Sequence, residues 1–187
     1  MEMVIRVSII LLVVILFIDY LLYNILCISI SAFCLLFVEY MKIAIAFATL
    51  SGNTEKIAYE LEKFLLNKSY EVDLLNLENT KVDELKKYDL VFLGCSTYGD
   101  GDLNLIMDIF LSEADQICHQ CESTRFAIFS LGDSIYPNFA IAGEIVEDKI
   151  IDMGGEVIHP YIKIDGYPSS EVFEEIKKWV LEVLKKL

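Results

Sequence analysis

Residues 49–54 combine side chains that are typical of a phosphate-binding loop. This first loop leads directly into a helical pattern and reads Thr49, Leu50, Ser51, Gly52, Asn53 and Thr54. Backbone N–H groups at a helix start are unpaired and partially positive, and serine or threonine hydroxyls can donate to further phosphate oxygens. The loop lacks the Gly-Lys-Ser/Thr ending of a nucleotide P-loop and the Gly-x-Gly-x-x-Gly of a dinucleotide fold, so it indicates a monophosphate group. The alternative interpretation is simple helix capping by Asn53 or Thr54.

Two further loops carry aromatic, acidic and flexible residues. The second loop, residues 94–102, and the third loop, residues 131–139, each follow an apolar run. Their candidate binding residues are Ser96, Thr97, Tyr98, Gly99, Asp100, Leu131, Gly132, Asp133, Tyr136 and Phe139. Tyr98 and Tyr136 could stack on a flat aromatic ligand, a contact worth about 0.5 to 1.5 kcal/mol beyond burial. The alternative is that both tyrosines only cover the sheet edge. Asn138 is predicted to cap the next helix.

The elements that must position these loops alternate between strand and helix. Short apolar runs predict parallel strands covered on both faces, at residues 42–47, 70–75, 89–95, 125–131 and 156–164. Helical spacing of apolar residues predicts two amphipathic faces, one with Ile57, Ala58, Leu61, Phe64 and Leu65, the other with Val172, Phe173, Ile176, Trp179, Val180, Val183 and Leu184. Right-handed crossovers place helices over both faces of such a sheet. Ligands bind beyond the carboxyl ends of its strands, so the loops after strands one, three and four are expected to converge.

Composition separates the chain into two unlike parts. Residues 1–40 contain 32 apolar residues and four charges, whereas the remaining 147 carry 26 acidic and 14 basic residues. A net charge of −12 over residues 41–187 excludes a nucleic-acid binder of the electrostatic kind and favours basic partners. That length suits one domain. The five cysteines are odd in number and unevenly spaced, which favours a reducing compartment over a disulfide framework.

The apolar segment, residues 1–40, has two interpretations. Residues 20–38 give 19 uncharged positions, about the length that a bilayer requires, so a transmembrane anchor is one of them. The other is a mis-assigned start, because Met41 directly precedes the first predicted strand. The first interpretation predicts a membrane-anchored protein, and the second predicts a cytoplasmic one.

With its three loops in this order, the chain resembles the short-chain members of the flavodoxin family over residues 41–187. Residues 155–157 and 162–166 also match the short-chain pattern. Two positions depart from it, because Tyr98 stands where many relatives have tryptophan and Leu131 where several have cysteine. These departures are expected to tune affinity and potential rather than abolish binding. The resemblance implies a doubly wound, five-stranded parallel sheet of order 2-1-3-4-5 with helices on both faces.

The resemblance also implies a function. The protein is expected to bind FMN non-covalently and to act as a low-potential one-electron carrier between redox proteins, shuttling between semiquinone and hydroquinone, rather than as an enzyme. Flavin N5 is expected near the Gly99–Asp100 peptide, whose glycine can turn its carbonyl toward the ring. Asp100, Asp102 and Asp133 are expected to disfavour a negative flavin and to attract basic redox partners. A monomer is expected.

Two alternatives to an electron carrier stay open. One is a flavodoxin-like accessory protein that binds FMN weakly, and the other is an FMN-dependent quinone reductase of related fold. A single C-x-x-C at residues 118–121 is not taken as a metal or redox site, because no second such motif follows.

Overall fold

The computed structural model describes residues 41–114 and 124–187. In these ranges six strands run in chain order: β1 (Ile43–Phe47), β2 (Val72–Asn76), β3 (Leu90–Tyr98), β4 (Asp102–Leu103), β5 (Arg125–Gly132) and β6 (Glu156–Asp165). The helices are α1 (Asn53–Leu66), α2 (Leu105–Ala114), α3 (Ala142–Asp152) and α4 (Ser170–Leu184), with a 3₁₀ helix at Val82–Lys87. The apolar segment and the C-x-x-C at residues 118–121 lie outside the described residues.

Five of the strands form a parallel sheet in the order β2-β1-β3-β5-β6. The predicted strands four and five correspond to β5 and β6, because the short strand β4 was not counted in the prediction. The observed order is therefore the predicted one, and the flavodoxin-like fold is confirmed. The short strand β4 was not predicted from sequence. It pairs antiparallel with the end of β3, where Tyr98 lies opposite Asp102. The second loop is therefore a hairpin that extends β3 beyond its predicted end at residue 95.

Helices cover both faces of the sheet. Alanines at positions 44, 46 and 48 of one face pack in the layer that holds buried residues of α2 and α3. Ile43, Ile45 and Phe47 face the opposite layer, built from α1 and α4. Every residue of β1 is buried, as its unbroken apolar run requires. Trp179 of α4 lies in this second layer with its ring edge-on to Phe92, at 5.8 Å between centroids.

Helix α1 begins where the sequence indicates, directly after Gly52. Its buried residues are Thr54, Ile57, Ala58, Leu61 and Leu65, which confirms most of the predicted apolar face. The buried residues of α4 are Ile176, Trp179, Val180 and Val183. Within residues 41–114 and 124–187, no helix is long and apolar enough to cross a bilayer.

Candidate functional site

The loops after β1, β3, β5 and β6 meet at one edge of the sheet and enclose a cleft of about 450 Å³. Its lining is Ser51, Asn53, Thr54, Ser96, Thr97, Tyr98, Gly99, Asp100, Leu131, Gly132, Asp133, Tyr136, Asn138, Phe139, Ala140, Gly166 and Tyr167. Thirteen of the sixteen predicted binding residues are among them. The volume lies in the range of small-molecule and cofactor pockets.

The three predicted residues that do not line the cleft shape the first loop or lie at its surface. Thr49 accepts a hydrogen bond through Oγ1 from the backbone N–H of Gly52, at 2.9 Å. Gly52 has φ +80°, a left-handed conformation that favours glycine. Leu50 is 54% exposed.

The start of α1 offers its own donors to the cleft. Gly52 is the N-cap of α1, and no side chain of the described residues makes a capping hydrogen bond there. Capping by Asn53 or Thr54 is therefore wrong, since both residues already belong to the first turn. The first N–H groups of a helix have no partner within it, so they and the side chains of Ser51 and Asn53 are available to an anion in the cleft.

The second loop is fixed by contacts with α3 and with the third loop. Gly99 and Gly101 have φ +53° and +115°, which lets the chain turn between β3 and β4. The Thr97 hydroxyl accepts a hydrogen bond from the backbone N–H of Ala142 at 3.1 Å. Asn138 Nδ2 donates to the carbonyl of Asp100 at 2.7 Å. The predicted cap role of Asn138 is wrong, because α3 begins later, at Ala142, and the amide holds the second loop instead.

The third loop is a tight turn that leaves its aromatic residue accessible. Asp133 accepts a hydrogen bond through Oδ1 from the N–H of Ile135 at 3.0 Å, an Asx-turn. Its carbonyl accepts from the N–H of Tyr136 at 3.1 Å. Tyr136 is 59% exposed although it lines the cleft. A ligand ring lying against it would therefore cover surface that the protein alone leaves in water.

Sequence reasoning missed a fourth loop, residues 165–167, which follows β6. Gly166 and Tyr167 both line the cleft, and Tyr167 is 81% exposed. The backbone N–H of Gly166 donates to the carbonyl of Gly132 at 3.0 Å, which fixes the base of this loop against the third loop. The available signal was topological, because β6 ends at the same edge as β5 in a parallel sheet. Asn138 and Ala140 are further lining residues that were not predicted.

The described residues that line the cleft give it an acidic character. None of its lining residues, all within the described part of the chain, is lysine or arginine, whereas Asp100 and Asp133 are present. In β3, directly before the lining residue Ser96, complete burial raises the pKa of the Cys95 thiol to about 12, against a smaller lowering by the hydroxyl of Ser130. Cys95 is therefore a neutral packing residue at physiological pH.

These features fit FMN. Helix-start N–H groups with hydroxyls and an amide can hold a phosphate without a cation. Three tyrosines from different loops, Tyr98, Tyr136 and Tyr167, line the cleft and are available to stack on an aromatic ring. Neutral phosphate donors and an acidic surround also disfavour a polyphosphate, which carries more negative charge.

Comparison with known proteins gives the same assignment. The family model described as Flavodoxin matches residues 45–179. "Probable flavodoxin 2" of Bacillus subtilis is 35% identical over 153 residues, which cover 78% of this chain and 95% of that protein. A flavodoxin of Maridesulfovibrio salexigens is 32% identical over 148 residues, covering 78% and 99%. The crystal structure of oxidised flavodoxin 2 from Bacillus cereus superposes with a TM-score of 0.72 at 32% identity, covering 78% of this chain and 99% of that one.

The fold and its cleft define an FMN-binding electron carrier. The chain belongs to the flavodoxin family. The predicted family, fold and cofactor are thereby confirmed.

Proposed function

We propose that the chain holds FMN non-covalently in the four-loop cleft and uses it as a low-potential, one-electron carrier between proteins. The observation that carries the proposal is that the start of α1, several hydroxyl and amide side chains and three tyrosines line one cleft of about 450 Å³. When bound, FMN supplies one-electron redox chemistry, which none of the twenty side chains provides reversibly at low potential. The residues of this chain bind the cofactor, orient it and set the charge around it.

The first loop is proposed to hold the phosphate. Ser51, Asn53 and Thr54 line the cleft beside the start of α1, where the helix dipole favours an anion. The Ser96 hydroxyl is proposed to join them, because Asn104 ties it to the carbonyl of Ala48, directly before the first loop. Since none of the described residues that line the cleft is lysine or arginine, the affinity for phosphate is proposed to rest on neutral donors.

Tyr98 and Tyr136 are proposed to hold the ring system, with Leu131 and Phe139 completing an apolar wall. Asp100 and Asp133 line the same cleft and Asp102 lies in the adjoining strand β4. Negative side chains oppose the addition of further negative charge nearby, so they lower the second one-electron reduction potential. This electrostatic opposition is the proposed origin of a low potential.

The mouth of the cleft is proposed to be the docking surface for redox partners. Leu50, Ile135, Tyr136 and Tyr167 are each more than half exposed, and the acids of the second and third loops accompany them. Apolar side chains with an acidic surround suit a partner that presents a basic patch around its own redox centre. The rate of electron transfer to a basic probe such as a c-type cytochrome is expected to fall as ionic strength rises, whereas an acidic probe gives the opposite trend.

We also propose that the chain is a monomeric carrier without its own NAD(P)H oxidation. Electrons then enter only through a partner reductase. The alternative, an FMN-dependent quinone reductase, predicts that the FMN-loaded protein consumes NAD(P)H when a quinone alone is added.

One experiment tests the function in three readouts. The full chain is titrated with FMN and with riboflavin by fluorescence quenching, its two one-electron potentials are measured, and NAD(P)H consumption is followed with and without a flavodoxin reductase. The proposal expects tighter binding of FMN than of riboflavin, two separated potentials, and consumption only with the reductase. Absence of FMN binding would refute it. Very weak FMN binding would support an accessory protein, and consumption without the reductase would support an enzyme.

The cellular location is proposed to be cytoplasmic, with translation starting at Met41. The support is a match to the flavodoxin family that begins at residue 45, and the odd, unevenly spaced cysteines. Intact mass of the native chain from soluble and membrane fractions tests this. A soluble species beginning at Met41 supports the proposal, and a membrane species that retains Met1 establishes a tethered carrier instead.

A further inference from the structure

Asn104 is a buried polar residue that was not among the binding residues predicted in the three loops. It is 1% exposed, directly precedes α2 and does not line the cleft. Its side chain makes three hydrogen bonds to other described residues. Oδ1 accepts from the backbone N–H of Met107 at 3.0 Å, and Nδ2 donates to the carbonyl of Ala48 and to Oγ of Ser96, both at 3.3 Å.

These partners fix the orientation of the amide. A backbone N–H only donates and a backbone carbonyl only accepts, so Met107 requires Oδ1 and Ala48 requires Nδ2. Nδ2 has no acceptor capacity. The Ser96 hydroxyl must therefore accept from Asn104, and its own proton is left free for another acceptor.

The three contacts join separate parts of the site. Ala48 precedes the first loop, and its N–H continues the ladder to the carbonyl of Gly94 in β3 at 3.0 Å. Ser96 lies in β3 and lines the cleft. Met107 belongs to the first turn of α2, whose N-terminus Asn104 caps. One side chain thus connects the ends of two strands with the start of a helix.

We propose that Asn104 is a positioning residue for the phosphate of the cofactor. It sets the Ser96 hydroxyl as a donor toward the cleft and fixes the first loop relative to β3. Preorganised donors bind an anion more tightly than donors that must first be ordered. This inference rests on the proposed function, because it takes FMN as the ligand.

The alternative is that Asn104 only caps α2, and one substitution separates the two roles. Asn104→Ser keeps a neutral N-cap acceptor for Met107, since serine is as good a cap as asparagine. The shorter side chain has no Nδ2, so the contacts with Ala48 and Ser96 are lost. A cap role predicts little change in ligand binding, whereas the positioning role predicts a loss specific to the phosphate.

The test measures dissociation constants of the full chain for FMN and riboflavin by fluorescence quenching. Asn104→Ser is expected to weaken FMN binding roughly 10-fold, because the Ser96 hydroxyl loses its fixed orientation and with it the hydrogen bond that it is proposed to donate to the charged phosphate. Riboflavin, which lacks the phosphate, is expected to change less than about twofold. Asn67→Ser, at an exposed asparagine after α1, is the control and should change neither constant.

A double-mutant cycle with Ser96→Ala tests whether Asn104 acts through that hydroxyl. If it does, adding Asn104→Ser to Ser96→Ala weakens FMN by less than about twofold more, because coupled residues are not additive. Full additivity, or equal losses for FMN and riboflavin, overturns the inference. Should Asn104→Ser fail to fold, Asn104→Thr keeps a neutral cap acceptor without Nδ2 and is carried through the same cycle.

The outcomes for the two proposals differ. Wild-type protein that does not bind FMN refutes the proposed function. Wild-type protein that binds FMN, with the Asn104 variants unchanged, overturns only the positioning role.

Discussion

The carboxylate of Asp165 accepts two hydrogen bonds from Ser134. The backbone N–H of Ser134 lies 2.9 Å from Oδ1, and its hydroxyl lies 2.5 Å from Oδ2. Asp165 ends β6 and Ser134 belongs to the third loop, so this contact joins the fourth loop to the turn that carries Tyr136.

This contact predicts a pH dependence. The Ser134 hydroxyl, followed by its backbone N–H, holds the pKa of Asp165 below the usual 3.8. The pKa of Asp165 is lower in the folded state than in the unfolded chain. The stabilisation is therefore fully present at a pH above the unfolded-state pKa, and it is lost as the pH falls through the folded-state pKa. Asp165→Asn is expected to weaken FMN binding at pH 7. It is also expected to be less stable than the wild type at neutral pH, and this difference in unfolding free energy should shrink as the pH falls below about 4.

Urea unfolding at several pH values, together with FMN titration at pH 7, measures both effects. Glu174→Gln is the matched control, because Lys177 holds the pKa of this exposed α4 carboxyl low but the residue is outside the cleft. It should alter acid stability and leave FMN affinity unchanged. A stability difference for Asp165→Asn that stays constant down to pH 2 would contradict the assignment.

Tyr136 is predicted to contribute its ring and not its hydroxyl. Tyr136→Phe should leave FMN affinity nearly unchanged, whereas Tyr136→Ala should weaken it roughly 2- to 12-fold from lost stacking alone, with more from lost burial. Tyr59→Ala, at a tyrosine of α1 that is 52% exposed, is the control and should not change it. Since both side chains are largely exposed, neither alanine should change the unfolding free energy by more than about 0.5 kcal/mol. Equal affinity of all variants would remove Tyr136 from the site.

Gly99 is predicted to affect the cofactor through its backbone. At its φ of +53°, an alanine would be strained by about 1 to 2 kcal/mol relative to glycine. The added Cβ would also lie 3.2 Å from Asp102 Oδ2. Gly99→Ala should therefore shift the peptide that the family resemblance places beside the ring and narrow the separation between the two one-electron potentials. Gly154→Ala imposes the same left-handed strain, at φ +81° after α3 and outside the cleft. It should reduce stability without changing either potential. Equal shifts in both variants would contradict a local role.

Gly94 is predicted to be required for packing between β3 and β5, because a larger residue would not fit there. A Cβ at this position would lie 2.2 Å from Cζ of Phe129 in the neighbouring strand. Gly94→Ala should lower the unfolding free energy by about 1 to 3 kcal/mol through overpacking, as measured by urea denaturation. Phe129→Leu makes room, so the double variant should be more stable than the sum of the two single changes. Strict additivity would show that the clash is relieved by other movements.

The sequence was sufficient for the fold because its local signals agree. The apolar run of β1 and the spacing of Ile57, Leu61 and Leu65 each require burial against a sheet, and the order of strands and helices then leaves one familiar topology. The hairpin strand β4 escaped prediction because two residues carry no detectable alternation. Its pairing depends on the positive φ angles of Gly99 and Gly101, which only the structure supplies.

The cleft was predicted where chemistry is local and missed where it depends on tertiary contacts. Hydroxyls beside a glycine and a helix start are visible in the first loop. The bond from Asn138 to Asp100 spans 38 residues, and the bonds of Asn104 reach Ala48 across 56 residues, so neither leaves a motif in the chain. Tyr167 was missed for the same reason, because it joins the cleft only after β6 has paired with β5.

The residues that line the cleft are far apart in the sequence, and this separation affects the kinetics of folding. Its lining runs from Ser51 to Tyr167, and each loop is held by a strand whose neighbour in the sheet is distant in sequence. Forming such parallel pairs requires the closure of long loops, which makes them slow steps in folding. The complete cleft includes Gly166 and Tyr167, so it forms only after β6 has paired with β5. Recovery of FMN binding after dilution from denaturant should be among the last events of refolding, and added FMN should slow unfolding more than it speeds folding.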